Sequence, residues 1–440
     1  MSPSRVVKNM WRLQPLSVWL PVFTAVLVLS AVPDSARGAK PECGNGVCEG
    51  NESRTCPGDC GSSPTGDLDP SSGCETGLST SEAKAGRRYV RDLLVDEGLT
   101  TQYEVRLPAN YDKNSAAPHP LLVYLHGWGG SFRSLPTQFA QHAKSNGYLT
   151  VTPSGYGDGG PNSWNGFRSA KLHDCPTGYT AEDCDAGPPL GPSTCVDIDG
   201  SQFNYCYDSC GECPKWNDAN PNTWNGEIGT DLNGEYTCYW TTCRDSVAQI
   251  VALLNEVEAD YCIDRSMIWV TGCSNGGMFV YELAKDARTS GRFAGYLPQV
   301  GAPHPGFAQA PPSSVTPPKY FMGFWGSSDT TVPGEGNFTD EVALDTNFNG
   351  WLYMTADSIA NQWADMNGIE TASATPVDYD ASAYSSALDC KAWRVGPEAD
   401  GAEIVWCFFQ GGHSCPGFGN MPQMMWDFAK SHRKPVAAAE

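Results

Sequence analysis

Seven short apolar runs constrain this chain more than any other feature: "YEVRLP", "PLLVYLHG", "YLTVTPSG", "MIWVTG", "FAGYLPQVGA", "KYFMGFWG" and "EIVWCFFQGG". Each runs into Gly, Pro or His, as buried strands do. Segments of helical character separate several of them. Val247, Ile250, Val251, Leu254 and Val257 share one face of "CRDSVAQIVALLNEVEADY", and "MFVYELAKDAR", "WLYMTADSIANQWADMNG" and "MPQMMWDFAKSH" are further helical candidates. Strands alternating with helices give the α/β class, a mostly parallel sheet with helices on both faces. In such sheets ligands bind at the carboxyl ends of the strands.

The ends of the chain read differently. Arg5, Lys8 and Arg12 precede "PLSVWLPVFTAVLVLSAV", and small residues in "DSARGAK" follow, so residues 1–38 are expected to be a signal peptide. A retained anchor is the rival reading, against which stand Pro21 and the modest length of the run. Export accounts for 18 cysteines, because an oxidising compartment lets disulfides form and persist. A formal charge of −22 repels nucleic acid and anionic lipid, which leaves a neutral extracellular substrate and no membrane partner once the signal is removed. Residues 39–61, with Cys43, Cys48, Cys56 and Cys60, have almost no apolar side chains and must be stapled. Residues 62–87 read as a polar linker, 88–433 as the catalytic domain and 434–440 as a tail. Within the domain, residues 156–242 form an insertion rich in Gly, Pro, Trp and Cys with no helical period. It leaves the carboxyl end of a strand and is expected on the catalytic face. Asn51 and Asn337 stand in glycosylation sequons.

The chemistry is concentrated in "WVTGCSNGGM", where a buried strand enters a Gly-flanked turn, leaves Ser274 at its apex and continues as a helix. This is the context that a G-x-S-x-G nucleophile elbow requires, and the partners should follow in the order Ser, acid, His. Asp329 follows "KYFMGFWG", and His413 follows "EIVWCFFQGG", each just past a strand. Taken singly, Asp329 is also explained as a turn residue and His413 as a surface histidine; their order makes Ser274, Asp329 and His413 the candidate triad. An oxyanion needs donors, which the turn Gly127-Trp128 after "LLVYLH" and the N–H of Asn275 can supply. No cofactor or metal is expected, because "CYDSCGEC" reads as disulfide cysteines in an exported chain and "DIDG" is an incomplete calcium loop. Trp164, Trp216, Trp224 and Trp240 could stack on an aromatic acyl group or a sugar, or pack the stapled insertion.

The ordered set "YLHGWGG", "TPSG", "GCSNGGM", "GSSDTTVP" and "GGHSCP" resembles the secreted α/β-hydrolases that contain feruloyl esterases and poly(3-hydroxybutyrate) depolymerase-like enzymes. The resemblance runs from about Tyr103 to His432. It implies the α/β-hydrolase fold, the triad and oxyanion residues already named, and a secreted serine carboxylesterase acting on plant cell-wall esters, polysaccharide-linked or polymeric. Polyester depolymerisation is the alternative substrate, and a non-catalytic binding protein on the same scaffold is the alternative class. Similarity to the fungal tannase and feruloyl esterase group implies a disulfide between Cys273 and Cys415. The other arrangement leaves Cys273 a buried free thiol and pairs Cys415 with Cys390 or Cys407.

Overall fold

The computed structural model describes residues 68–96, 98–114, 118–166, 207, 209, 229–230, 236–237, 241–242, 244–304, 320–337, 339–344, 352–394 and 401–435. In chain order the elements are α1 (Gly73–Thr76), β1 (Arg88–Asp96), β2 (Leu99–Arg106), β3 (His119–Leu125), α2 (Thr137–Asn146) and β4 (Leu149–Pro153). There follow β5 (Gly229–Thr230), β6 (Tyr236–Thr237), α3 (Ser246–Asp260), β7 (Ile263–Cys273), α4 (Asn275–Lys285), β8 (Gly295–Gln299) and β9 (Tyr320–Gly326). The chain continues through β10 (Val342–Leu344), β11 (Leu352–Met354), α5 (Ala356–Met366), β12 (Val377–Asp378), β13 (Asp389–Arg394), β14 (Glu403–Phe409) and α6 (Met421–Ser431).

Ten of these strands form one sheet in the order β1-β2-β4-β3-β7-β8-β9-β14-β13-β12. Its six central strands, β4 to β14, run parallel, and antiparallel strands extend both edges. The parallel strands are mostly apolar because both faces are covered; the start of β7, with Asp264 and exposed Arg265, is an exception. On one face lie α3, α4 and α5, burying Val247, Ile250, Leu254, Phe279 and Ile359. On the other, α2 and α6 bury Phe139, Met424, Met425 and Phe428.

Register decides where the site lies. Leu125 at the end of β3 pairs with Gly272 of β7, and Gly326 at the end of β9 pairs with Phe409 of β14. The turns that follow these strands carry Gly127, Ser274, Asp329 and His413, so all four leave the sheet at its carboxyl rim. None of the described helices is long and apolar enough to cross a membrane.

Several expectations need correcting. Residues 69–87, which the sequence places in a linker, are attached to the domain. Pro70 bridges Asp264, Ser71 Oγ–H donates to Tyr261 O at 2.8 Å, and a disulfide joins Cys74 to Cys262 across 188 residues of chain. The helical reading of "WLYMTADSIANQWADMNG" starts too early: Leu352–Met354 is strand β11, and helix α5 begins only after Thr355, whose hydroxyl caps Ser358 N–H at 3.3 Å. Strands β1 and β13 and helix α2 were not anticipated from the apolar runs.

Candidate active site

The elbow is built by close approach. A Cβ on Gly272 would lie 2.2 Å from Gly276 O, and one on Gly276 would lie 2.4 Å from Leu125 O, so neither position admits a side chain. Ser274 itself sits at φ 53°, ψ −118°, a conformation that costs a non-glycine residue about 1–3 kcal/mol and that the surroundings must impose. They do so from both sides. Ser274 N–H donates to Gln299 O at 2.9 Å, and Ser274 O accepts from Met278 N–H at 2.8 Å as α4 begins.

Ser274, Asp329 and His413 come together at this rim. Ser274 Oγ lies 2.8 Å from His413 Nε2, and His413 Nδ1 lies 2.7 Å from Asp329 Oδ2. A carboxylate can only accept, so Nδ1–H donates to Asp329 and Nε2 is left to accept from the serine hydroxyl. The Asp329 carboxylate is fully buried, while the His413 ring is 24% exposed. Asp329 Oδ1 accepts from the backbone N–H of Thr331 at 2.9 Å and of Val332 at 3.0 Å, which fixes the plane of the carboxylate. The acid loop is in turn tied to the histidine loop: Ser328 N–H donates to Gly411 O at 2.8 Å.

A disulfide joins Cys273 to Cys415, and another joins Cys390 to Cys407. The first links the residue before Ser274 to the residue two past His413, closing 142 residues of chain. Removing a link of that span destabilises a fold by about 2–5 kcal/mol. It should also loosen His413, and a misplacement of about 1 Å in reacting groups costs on the order of a hundredfold in rate. The double variant Cys273→Ala/Cys415→Ala is therefore expected to lose kcat by ten- to a hundredfold with KM little changed. Steady-state kinetics on p-nitrophenyl acetate checks this, and an unaltered kcat would refute it.

The other side of the serine is formed by the turn after β3. A Cβ on Gly127 would stand 3.5 Å from Ser274 Cβ, so this turn lies directly against Ser274. His126, fully buried, sets its shape. His126 Nδ1–H donates to Gly127 O at 2.7 Å, and His126 Nε2 accepts from Gly155 N–H at 2.8 Å. Acceptance at Nε2 needs the neutral ring, and burial pushes the His126 pKa down to about 4. Because the folded value lies below the ordinary ~6.5, the unfolded chain binds the extra proton between these limits, and stability rises with pH across them. The fold should be about 2–3 kcal/mol less stable at pH 4.5 than at pH 7.5 through this residue. Burial of His119 acts in the same direction. Thermal melts at the two pH values, compared with His126→Asn, test it: the variant should lose part of the pH dependence.

Asn275 was expected to act through its backbone N–H at the start of α4, where such groups have no intrahelical acceptor. Its side chain has a second task. Asn275 Oδ1 accepts from Trp164 N–H at 2.8 Å and Nδ2–H donates to Trp164 O at 3.0 Å. Trp164 is fully buried, stacks on Phe279 with centroids 5.5 Å apart, and donates Nε1–H to His126 O at 2.9 Å. It thus belongs to the frame of the site and cannot stack on a ligand; Trp216, Trp224 and Trp240 lie outside the described residues. Trp128 is the aromatic residue that meets solvent here, at 37% exposure, with Nε1–H donating to Tyr207 OH at 3.0 Å. Tyr207, from within the insertion, donates onward to Pro161 O at 2.8 Å. The insertion therefore reaches the catalytic rim.

Its base is clasped. Asp158, near the entry, accepts from Thr242 Oγ1–H at 2.7 Å and from Ser209 N–H at 3.1 Å, and Thr242 N–H donates to Ser163 Oγ at 2.8 Å. Of the sequon residues, Asn337 is exposed in the acid loop, and Asn51 lies outside the described residues. Sequence reasoning gave no role to His126, to the Asn275 side chain or to Tyr207; the histidine beside Gly127 at a strand end was the one available signal.

No protein-family model matches the chain, and no curated protein sequence matches it. Among solved structures it is similar to an acetyl xylan esterase from Aspergillus awamori, at 15% identity and a TM-score of 0.44, over 77% of this chain and 99% of that one. It is also similar to a ferulic acid esterase, at 11% identity and a TM-score of 0.36, over 78% of this chain and 97% of that one. A third is the acylaminoacyl peptidase of Pyrococcus horikoshii, at 10% identity and a TM-score of 0.39, over 82% of this chain and 44% of that one. The central parallel strands, helices on both faces, and a strand-turn-helix elbow followed in order by an acid and a histidine make this an α/β-hydrolase fold.

Proposed function

We propose that the protein is a serine carboxylesterase in which Ser274, His413 and Asp329 are the catalytic triad. The observation that carries this is the continuous relay of 2.8 Å and 2.7 Å bonds from the serine hydroxyl to a buried carboxylate, on an elbow whose geometry presents the hydroxyl at the strand ends. Ser274 Oγ attacks the ester carbonyl carbon while His413 Nε2 takes its proton, and the carbonyl oxygen becomes an oxyanion. An N–H of the Gly127-Trp128 turn and the N–H of Asn275 receive that charge, helped by the positive end of α4. His413 then gives its proton to the departing alcohol, leaving an acyl-enzyme. Water, deprotonated by the same imidazole, cleaves the acyl-enzyme and restores the serine. A fluorophosphonate probe tests the assignment: it should label Ser274 in the native protein and not after heat denaturation. Absence of labelling would leave a binding protein on a hydrolase scaffold.

For the substrate we infer plant cell-wall esters with an aromatic acyl group. Trp128 supports this reading, since it exposes part of an indole one residue from the glycine that abuts the nucleophile. Turnover of methyl ferulate should exceed release of soluble products from a poly(3-hydroxybutyrate) film; the reverse ranking would make the enzyme a polyester depolymerase. The basic, apolar leader and the three described disulfides support maturation outside the cytosol, with Cys273–Cys415 retained in the finished enzyme. Exposure of Asn337 suits it to carry a glycan in a eukaryotic host.

A further inference from the structure

A groove of about 270 Å³ lies between α2 and the β1-β2 pair, far from the catalytic rim. Arg106 at its wall pairs in register with Thr150, near the amino end of β4, whereas Ser274 follows the carboxyl end of parallel strand β7. The two sites are therefore at opposite ends of the sheet.

The lining of the groove runs against the charge of the chain. The sequence carries 28 Lys plus Arg against 50 Asp plus Glu, yet Arg87, Arg88, Arg106 and Lys144 line this one cavity and no acidic residue does. Glu104, buried behind the wall, holds Arg106 at 2.5 Å and reaches Arg88 at 3.5 Å. It orients those two guanidinium groups and offsets one of the four charges. Arg87 and Lys144 are exposed and have no ion-pair partner among the described residues. Beneath the cations the floor is largely apolar, lined by Leu107, Leu135, Ala140 and Tyr148.

At physiological salt charges are screened beyond about 8 Å, so a ligand inside the groove meets these four cations and little of the negative field of the whole protein. Guanidinium groups present paired N–H donors that match a carboxylate or a sulfate. The volume is slightly below that of sites for drug-sized molecules and suits a single ring. We propose that this groove is a secondary binding site for an anionic sugar residue, a uronate or a sulfated unit of a polysaccharide, with its charge on the arginines and its ring against the apolar floor. Such a site would hold the protein on an acidic polymer and leave the catalytic rim free. It does not depend on the esterase assignment.

Affinity electrophoresis of the full mature protein through gels containing polygalacturonate, dextran sulfate or neutral dextran tests it. Retardation is expected from polygalacturonate and not from dextran, with at least tenfold weaker binding in the double variant Arg87→Glu/Lys144→Gln and in 0.5 M NaCl. Retardation by dextran sulfate alone, lost in the same variant, supports the site with sulfate as its anion. No retardation by either acidic polymer, equal retardation by neutral dextran, or undiminished binding by the variant overturns it. The variant should turn over p-nitrophenyl acetate at the wild-type rate, since neither residue touches the rim; a collapse of that activity would overturn the separation of the two sites. A wild-type protein that binds polygalacturonate but hydrolyses no ester would refute only the catalytic assignment.

Discussion

Replacing Ser274 with Ala is expected to lower turnover of p-nitrophenyl acetate by about a million-fold while the protein melts at nearly its normal temperature. In the proposed mechanism the hydroxyl is the nucleophile, and among the described residues it is the group hydrogen-bonded to His413 Nε2. Its hydrogen bond to His413 is one contact in a part-exposed site, so its loss costs the fold little. His413→Ala should be about as severe, and the double variant no worse than either single one, because the two residues act as a unit. Activity of Ser274→Ala within a hundredfold of wild type would place the reaction elsewhere.

Asp329→Asn should lower kcat by about 10⁴-fold and leave the structure intact. The reason is specific to the bonds at this residue. Thr331 N–H and Val332 N–H both point at the inner oxygen, so an amide introduced there keeps its carbonyl oxygen toward them and turns its NH₂ toward His413. The imidazole must then accept at Nδ1 and carry its proton on Nε2. In that tautomer it cannot take a proton from Ser274. Asp329→Ala removes the partner without imposing the wrong tautomer and should be the milder change in kcat, though it empties a buried site. Equal rates for Asp329→Asn and wild type would show that the carboxylate has no part in orienting the ring.

Much of this site could be read in the sequence because its constraints are local. Gly272 and Gly276 are four residues apart, and the same turn that forbids their side chains presents Ser274. The strands before Asp329 and His413 are apolar on both faces, which makes their ends visible as abrupt changes to glycine. The frame around the site was hidden for the opposite reason. Asn275 clasps the backbone of Trp164 across 111 residues, and His126 bonds Gly155 across 29. Nothing in either neighbourhood announces such partners. Strand β1, "RYVRDLLVD", mixes charges with apolar residues because it is an edge strand with exposed positions, and so resembles a loop. The segment 69–87 looked like a linker because its attachment runs through one cysteine, a few hydrogen bonds and two scattered apolar side chains, Leu78 and Ala83, with no periodic apolar face.

The clasp at Asp158 has a consequence for how such a protein can diversify. Thr242 and Ser209 bond that carboxylate and each other, and Thr242 also bonds Ser163, so the long excursion departs from the sheet and rejoins it at nearly one point. The entropy of closing a loop grows only slowly with its length, and the strands on either side are indifferent to what lies between. Substitutions, insertions and deletions in that excursion can therefore reshape the approach to Ser274 through neighbours such as Tyr207 while the bonds of Ser274, His413 and Asp329 stay in register. Under the proposed function, selection can alter what is hydrolysed without rebuilding the means of hydrolysis.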